Sequence, residues 1–355
     1  MESVLTLPAL LAGIMLLALN AYVLLGGADF GGGVWDLFAR GPRREQQRAL
    51  IGHAIGPIWE ANHVWLILVV VLLFTCFPPA FAVIGTELHV PLSLMLFGIV
   101  LRGSAFTFRT YDAQDDGVQR RWGLVFSLSS ILTPAALGIC VGAIASGAVG
   151  RASTLGVVPF AARFVHPWTN PFVLGVGAFS LALFAFLAAV YLTVEAGNDA
   201  ELQADFRRRA LAAGVAVFVC AFGTLAMADA HAPRIIAGVM RSPAALPLQL
   251  ATAAAALLAF GALIARRYHL ARIAAGAQVS CIVWGWGIAQ YPYIIPSTLT
   301  VHDAAAPAIT LRLTLGVLAA GAIVLIPSLA YLYRVFKGRR SAFDALEESA
   351  APRGE

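Results

Sequence analysis

The sequence predicts an all-α integral membrane protein of nine transmembrane helices, and composition and the spacing of its arginines carry that prediction. Of its 355 residues 60% are apolar and 12% are charged, with a mean hydropathy of +0.81. A soluble domain carries about 25% charged residues. A helix needs about 20 apolar residues to cross a bilayer. Nine stretches supply them, at about 5–27, 58–77, 81–101, 123–146, 171–194, 211–230, 245–265, 271–291 and 310–334.

Orientation follows from the segments between these stretches, because lysine and arginine accumulate in cytoplasmic loops. Arg40, Arg43, Arg44 and Arg48 follow the first stretch, Arg102, Arg109, Arg120 and Arg121 the third, Arg207 to Arg209 the fifth, and Arg266, Arg267 and Arg272 the seventh. The tail adds Arg334, Lys337, Arg339, Arg340 and Arg353, so nineteen of 24 basic residues fall on one side. That alternation places the N-terminus outside and the C-terminus in the cytoplasm, and it accounts for the net charge of +5 without a nucleic-acid partner.

The first apolar run has no basic residues before it and is too long for a signal peptide, so it reads as a retained helix. Residues 1–337 form one polytopic membrane domain and residues 338–355 a polar cytoplasmic tail. Cys76, Cys140, Cys220 and Cys281 fall one per apolar stretch, without metal-ligand spacing, and read as small buried hydrophobes. Stretches one and five both end in acids followed by arginines, which fits two similar four-helix bundles and a ninth helix.

Ionisable groups at membrane depth cost several kcal/mol and point to function. In GPIWEANHVWL (residues 56–66), Glu60 and His63 lie one helical turn apart at the start of an apolar run, with Trp59 and Asn62 beside them. The pair reads either as a proton relay or as a hydrogen-bonded lock between helices. Asp29 lies among Gly26, Gly27 and Gly31 to Gly33, where close helix approach is permitted. It is either held against a neighbour or solvated at a helix end. Arg102 and Arg109 bracket GSAFTF, and either snorkel to headgroups or serve as counter-ions to Asp29 or Glu60. Glu87 and His89, Asp229 and His231, and His302 and Asp303 lie near the opposite interface and read as solvated. None of the seven histidines sits near the centre of a predicted span, so a self-contained haem clamp is not expected. Nor is there a P-loop, a dinucleotide fingerprint or a zinc-protease motif.

The blocks GGADFGGGVWDLF, GPIWEANHVWLI followed by FTCFPPAFA, LRGSAFTFR, and YPYIIPSTLTVHDAAAP resemble, in order and over residues 20–336, subunit II of the cytochrome bd-type quinol oxidases. The resemblance implies a two-subunit oxidase of the bacterial cytoplasmic membrane that reduces dioxygen to water with quinol electrons. It implies two four-helix bundles plus a peripheral helix in this chain. Haem b and haem d are then expected on the partner, subunit I, with small single-helix accessory subunits and a structural quinone as further associates. It also implies proton uptake from the cytoplasm, with Glu60 and Asp29 at the family's acidic positions, His63 assisting, and Trp59, Asn62, Arg102 and Arg109 supporting. Gly26, Ala28 and Thr107 depart from the family pattern, Gly26 and Thr107 where acids are common. Two other classes compete: a proton-coupled transporter using Glu60 and His63, and a purely structural anchor for subunit I. Transporters favour helices broken at the midplane, whereas the prolines here cluster near span ends.

Overall fold

The computed structural model describes residues 6–55, 59–111, 116–150 and 158–350, without the side chains of residues 59, 60, 109–111, 116, 119, 333 and 335–350. Thr6 caps the first helix by accepting from the Ala9 N–H, and Pro8 occupies its first turn. This helix, α1, runs Leu7–Leu37, about 46 Å at 1.5 Å per residue. It therefore continues ten residues past the span end predicted at 27, straight through the glycine block. Glycine weakens an isolated helix, but here neighbouring helices use those positions. A Cβ at Gly31 would collide with the Phe184 carbonyl oxygen and the Ala188 Cβ.

After α1 come α2 (Arg44–Ile55), α3 (Trp59–Cys76), α4 (Pro78–Glu87), α5 (His89–Tyr111) and α6 (Asp116–Ser146). Two short helices, α7 (Phe160–Phe164) and α8 (His166–Thr169), precede the long α9 (Pro171–Glu195) and α10 (Ala200–His231). Then follow α11 (Pro233–Arg241), α12 (Ala245–Ile264), α13 (Tyr268–Gln290), the hairpin strands β1 (Tyr293–Ile295) and β2 (Leu299–Thr300), and α14 (Ala308–Ala350). Asn170 and Asp199 cap α9 and α10 by accepting backbone N–H groups of the first turn.

Among the described residues, seven helices are long and apolar enough to cross a membrane: α1, α5, α6, α9, α10, α12 and α14. The predicted count of nine is not reproduced, for two reasons. The stretch at 58–77 is α3, which breaks at Phe77 before Pro78 and Pro79 and bends by 118° into α4, so the pair makes at most an eighth span. The stretch at 271–291 does form the helix α13, but its Arg272, Gln278 and Gln290 leave it less apolar than a lipid-facing span. Its burial compensates, with Ala271, Ala274, Ala275, Gln278 and Val279 packed inward.

The chain divides into two units, Met1–Ala305 and Ala306–Glu355. In the first, α9 is the central element, packed against α10, α6, α1 and α13. Its residues from Leu183 to Val190 are all buried, so no face of that segment is left for lipid; a helix apolar all round belongs in an interior. The second unit is α14, apolar through Leu332 with Pro327 inside it.

In the hairpin, Tyr293 pairs with Thr300 and Ile295 with Leu299. Asp303 closes it: its Oδ2 accepts from the Thr300 hydroxyl at 2.6 Å and the Thr300 N–H at 3.3 Å, while the Asp303 N–H donates back to the hydroxyl. The hydroxyl first, and the backbone N–H second, hold the Asp303 carboxyl below its ordinary value of 3.8.

Gly31→Ala pushes against backbone and destabilises the protein by about 1–3 kcal/mol. Gly13→Ala, in the same helix with nothing within 4 Å of the new Cβ, leaves stability unchanged or slightly raised; thermal unfolding in detergent compares the two. Because the folded-state pKa of Asp303 is depressed, its contribution is present above the unfolded value of about 3.9 and is lost as pH falls through the folded value. Thr300→Val removes the hydroxyl, so Asp303 protonates and the hairpin loosens at higher pH, as a carbon-13 titration of the Asp303 carboxyl reads directly.

Candidate functional site

Asp29 lies eight residues before the end of α1, about 12 Å along the axis, and is 3% exposed. The alternative of a solvated helix end is thereby excluded. Arg102, from α5, meets it: Nη1 donates to Asp29 Oδ2 at 3.0 Å, Nη2 donates to Oδ1, and Nη2 also reaches the Asp29 carbonyl at 3.1 Å. Arg102 is 1% exposed, so it is the counter-ion and not a snorkelling side chain. Its guanidinium also lies 4.7 Å and 4.9 Å from the ring centres of Phe30 and Phe126, a desolvated cation–π arrangement.

A further donor, Nε, goes to Ser130 Oγ on α6 at 3.0 Å, and the Ser130 hydroxyl donates to the Phe126 carbonyl at 2.7 Å. Gly33 makes room for that hydroxyl, since a Cβ there would overlap Ser130 Oγ. One turn earlier in α6, the Ser127 hydroxyl donates to Asp36 Oδ2 at 3.3 Å. Asp36 is wholly buried, and Arg48 of α2 approaches it at 3.5 Å with its side chain 27% exposed. Asp36 and the α6 hydroxyls were not foreseen. Their signal was present in the spacing: Asp29, Gly33 and Asp36 share one face of α1 at i, i+4 and i+7, and Ser127 and Ser130 share one face of α6.

From α3, His63 packs its ring 6.4 Å from that of Tyr22 and 6.2 Å from that of Phe30, the residue after Asp29. Asn62 is 1% exposed. Tyr22 Oη and Asn62 Oδ1 are buried without a hydrogen-bond partner among the described residues. Buried polar atoms are ordinarily satisfied, so this pair marks hydrogen-bonding capacity that the described side chains do not fill. Glu60 lies in the first turn of α3; its side chain, like those of Trp59 and Arg109, lies outside the described residues.

Around this core the arginine-rich segments gather. Arg43 forms a fork with Asp205 and also bonds Glu201, Gln47 bridges Asp205 and Arg209, and Arg272 pairs with Glu195. Hydrogen bonding to Asp205 pushes the Arg43 guanidinium still higher than usual. Glu87 departs from its expected solvated position: it is 1% exposed, accepts from the Gly150 N–H at 2.7 Å, and has Arg163 at 3.9 Å. Gly150, just beyond α6, closes on it, a long-range contact that interface depth alone does not reveal.

A cavity of about 260 Å³ lies between α1, α6, α9, α10, α11 and α13, with Phe179, Leu183, Leu225 and Trp286 in its lining. Thr224 Oγ1 and Trp286 Nε1, both in that lining, have no hydrogen-bond partner among the described residues. No group of three or more His, Cys, Asp or Glu side chains able to hold a metal ion occurs among the described residues.

These features define a class: a multi-pass helical membrane protein whose glycine-rich first helix carries a buried acid clamped by an arginine from a neighbouring helix. The chain belongs to the cytochrome bd terminal oxidase subunit II family, whose pattern matches residues 7–336. It is 24% identical over 329 residues to the putative cytochrome bd menaquinol oxidase subunit II of Bacillus subtilis, covering 89% of this chain and 91% of that one. It is also 24% identical over 350 residues to cytochrome bd-I ubiquinol oxidase subunit 2 of Escherichia coli, covering 90% and 89%. The bd oxidase structure from Geobacillus thermodenitrificans superposes with a TM-score of 0.76 at 24% identity, over 94% of this chain and 99% of that one, which shows a shared fold.

Removing one member of a buried pair strands the other. Arg102→Met is expected to cost about 3–5 kcal/mol, whereas Arg102→Met combined with Asp29→Leu recovers most of the loss. Arg102→Lys falls between, because an ammonium lacks the planar fork. Thermal unfolding of the detergent-solubilised protein ranks the three.

Proposed function

We propose that this chain is the haem-free subunit II of a bd-type quinol:dioxygen oxidoreductase in a bacterial cytoplasmic membrane. In this reading it pairs with subunit I, is accompanied by small single-helix subunits, and helps deliver cytoplasmic protons to the site of dioxygen reduction. The observation that carries the proposal is the line of buried polar groups from the arginine-rich end to Asp29 and on to His63. Family membership supplies the reaction, and the relatives' names, a menaquinol and a ubiquinol oxidase subunit, agree with it.

Haems on the partner would bind dioxygen and supply electrons. The described residues of this chain do not fit a haem: His53, His89, His166, His231 and His269 lie in the first or last turns of helices, and His302 lies in a loop. Only His63 sits among core aromatic rings, and the two that flank it are Tyr22 and Phe30. The residues do fit a quinone, whose apolar body suits the 260 Å³ cavity and whose carbonyl oxygens suit the Thr224 hydroxyl and the Trp286 N–H.

Each dioxygen reduced to water consumes four protons, and a bilayer gives them no other route than polar side chains and water. Glu60, in the first turn of α3, is the principal carrier in this proposal, and Asp29 the second. Arg102 holds Asp29 in one orientation. His63 and Asn62 offer further donors and acceptors on the same face of α3 as Glu60 or beside it.

The purified complex tests both halves. This chain should co-purify with a larger partner showing b- and d-type haem bands; a colourless chain eluting alone rejects the oxidase assignment. Glu60→Gln should assemble normally and lower quinol-driven oxygen consumption by about 10- to 100-fold, the scale of losing a positioned proton donor. Normal assembly with unchanged turnover leaves only the anchoring role.

A further inference from the structure

Asp36 has no part in the path as drawn so far, yet it is among the most deeply buried charged groups in the protein. On α1 it stands seven residues from Asp29, about 10 Å along the axis and on the same face. Between the two carboxylates α1 presents Gly33, and α6 fills the gap with the Ser130 hydroxyl. Ser127 bonds Asp36 and Ser130 bonds Arg102, whose fork holds Asp29. The Arg48 end of this array is the one that reaches solvent.

We propose that Asp36 is the intake carboxylate of the proton path, receiving protons at the arginine-rich end and passing them through the Ser127 and Ser130 hydroxyls to Asp29. The inference rests on the proton-delivery reading above and names its outer end. A hydroxyl suits this step because it both donates and accepts. Asp36 takes a proton on one carboxylate oxygen and gives it to Ser127 Oγ, which releases its own proton to Ser130 Oγ; Ser130 in turn releases its own proton to Asp29, and both hydroxyls rotate back before the next transfer. No covalent bond other than O–H forms or breaks, and each group returns to its starting state when the next proton arrives.

A clamp between α1 and α2 alone would need only Asp36 and Arg48. It would not need two hydroxyls aligned on α6, nor a bare Gly33 opposite one of them. The charged groups near Asp36 are Arg48 from α2, at 3.5 Å, and, from α10, Arg209, which donates to the Phe38 carbonyl and lies 5.6 Å from the Trp35 ring centre. The Asp29–Arg102 pair lies two turns away. Free protons are scarcer at high pH, so the loss of an intake group is felt most there.

The test uses the intact two-subunit oxidase with quinol as donor, following oxygen consumption from pH 6 to pH 8.5 with the haem bands as the assembly control. Asp36→Asn should lower turnover by about fivefold or more at pH 8.5 and by much less at pH 6, Asp36→Glu should restore most of it, and Ser127→Ala should give a smaller loss with the same pH trend. An equal loss at both pH values assigns Asp36 to holding α1 against α2 and overturns the inference. If Asp36→Asn does not assemble, Ser127→Ala decides: a loss that grows with pH supports the path, and a wild-type profile rejects it. Glu60→Gln in the same series separates the two readings. If it slows turnover while Asp36→Asn and Ser127→Ala do not, only the intake assignment fails; if none slows turnover, proton delivery by this chain fails as a whole.

Discussion

A carboxylate and a guanidinium cannot be left singly in a bilayer, and the Asp29–Arg102 pair organises much of the surrounding structure. Neither ion is tolerable alone at that depth, so α1 and α5 must present them to each other in one geometry. Arg102 then uses Nε on Ser130, which draws α6 into the same arrangement. Three helices are thus registered by one side chain. The aromatic rings of Phe30 and Phe126 exclude water from the pair and supply favourable faces for the cation.

Such registration requires backbones to come close, and the glycine block of α1 provides that. Without hydrophobic attraction between helices in lipid, association depends on packing and hydrogen bonds. Gly31 meets the backbone of α9, and Gly33 meets Ser130. The close approach places α9 at the centre, where it is buried on every side from Leu183 to Val190. A helix so enclosed leaves lipid contact to the elements around it. This is why α9, α6 and α1 read alike as apolar sequence yet differ in what they touch.

The same distinction explains how far the site was legible. Asp29 and Arg102 stood out because charges are rare in apolar sequence, and counter-ion pairing was one of two options that chemistry allowed. Asp36 was not recognised, since an acid at a predicted helix end looks solvated until α1 is seen to continue to Leu37. The serines of α6 carry no charge and give no signal until their partner helix is known. Glu87 was misplaced for the opposite reason: its depth suggested water, but the Gly150 N–H, more than sixty residues later in sequence, bonds it.

The sequence by itself determined that the chain is helical and lives in lipid, and which family it belongs to. Each of those rests on local composition or on ordered motifs, properties that need no knowledge of neighbours. Only the tertiary structure decided that α1 continues through its glycines, that α3 turns by 118° at Phe77, and that Arg102 chooses Asp29. An apolar helix face looks the same toward lipid and toward another helix, and a buried charge does not name its partner. Those choices are made by contacts between residues far apart in the chain, where distance and desolvation determine what sequence spacing leaves open.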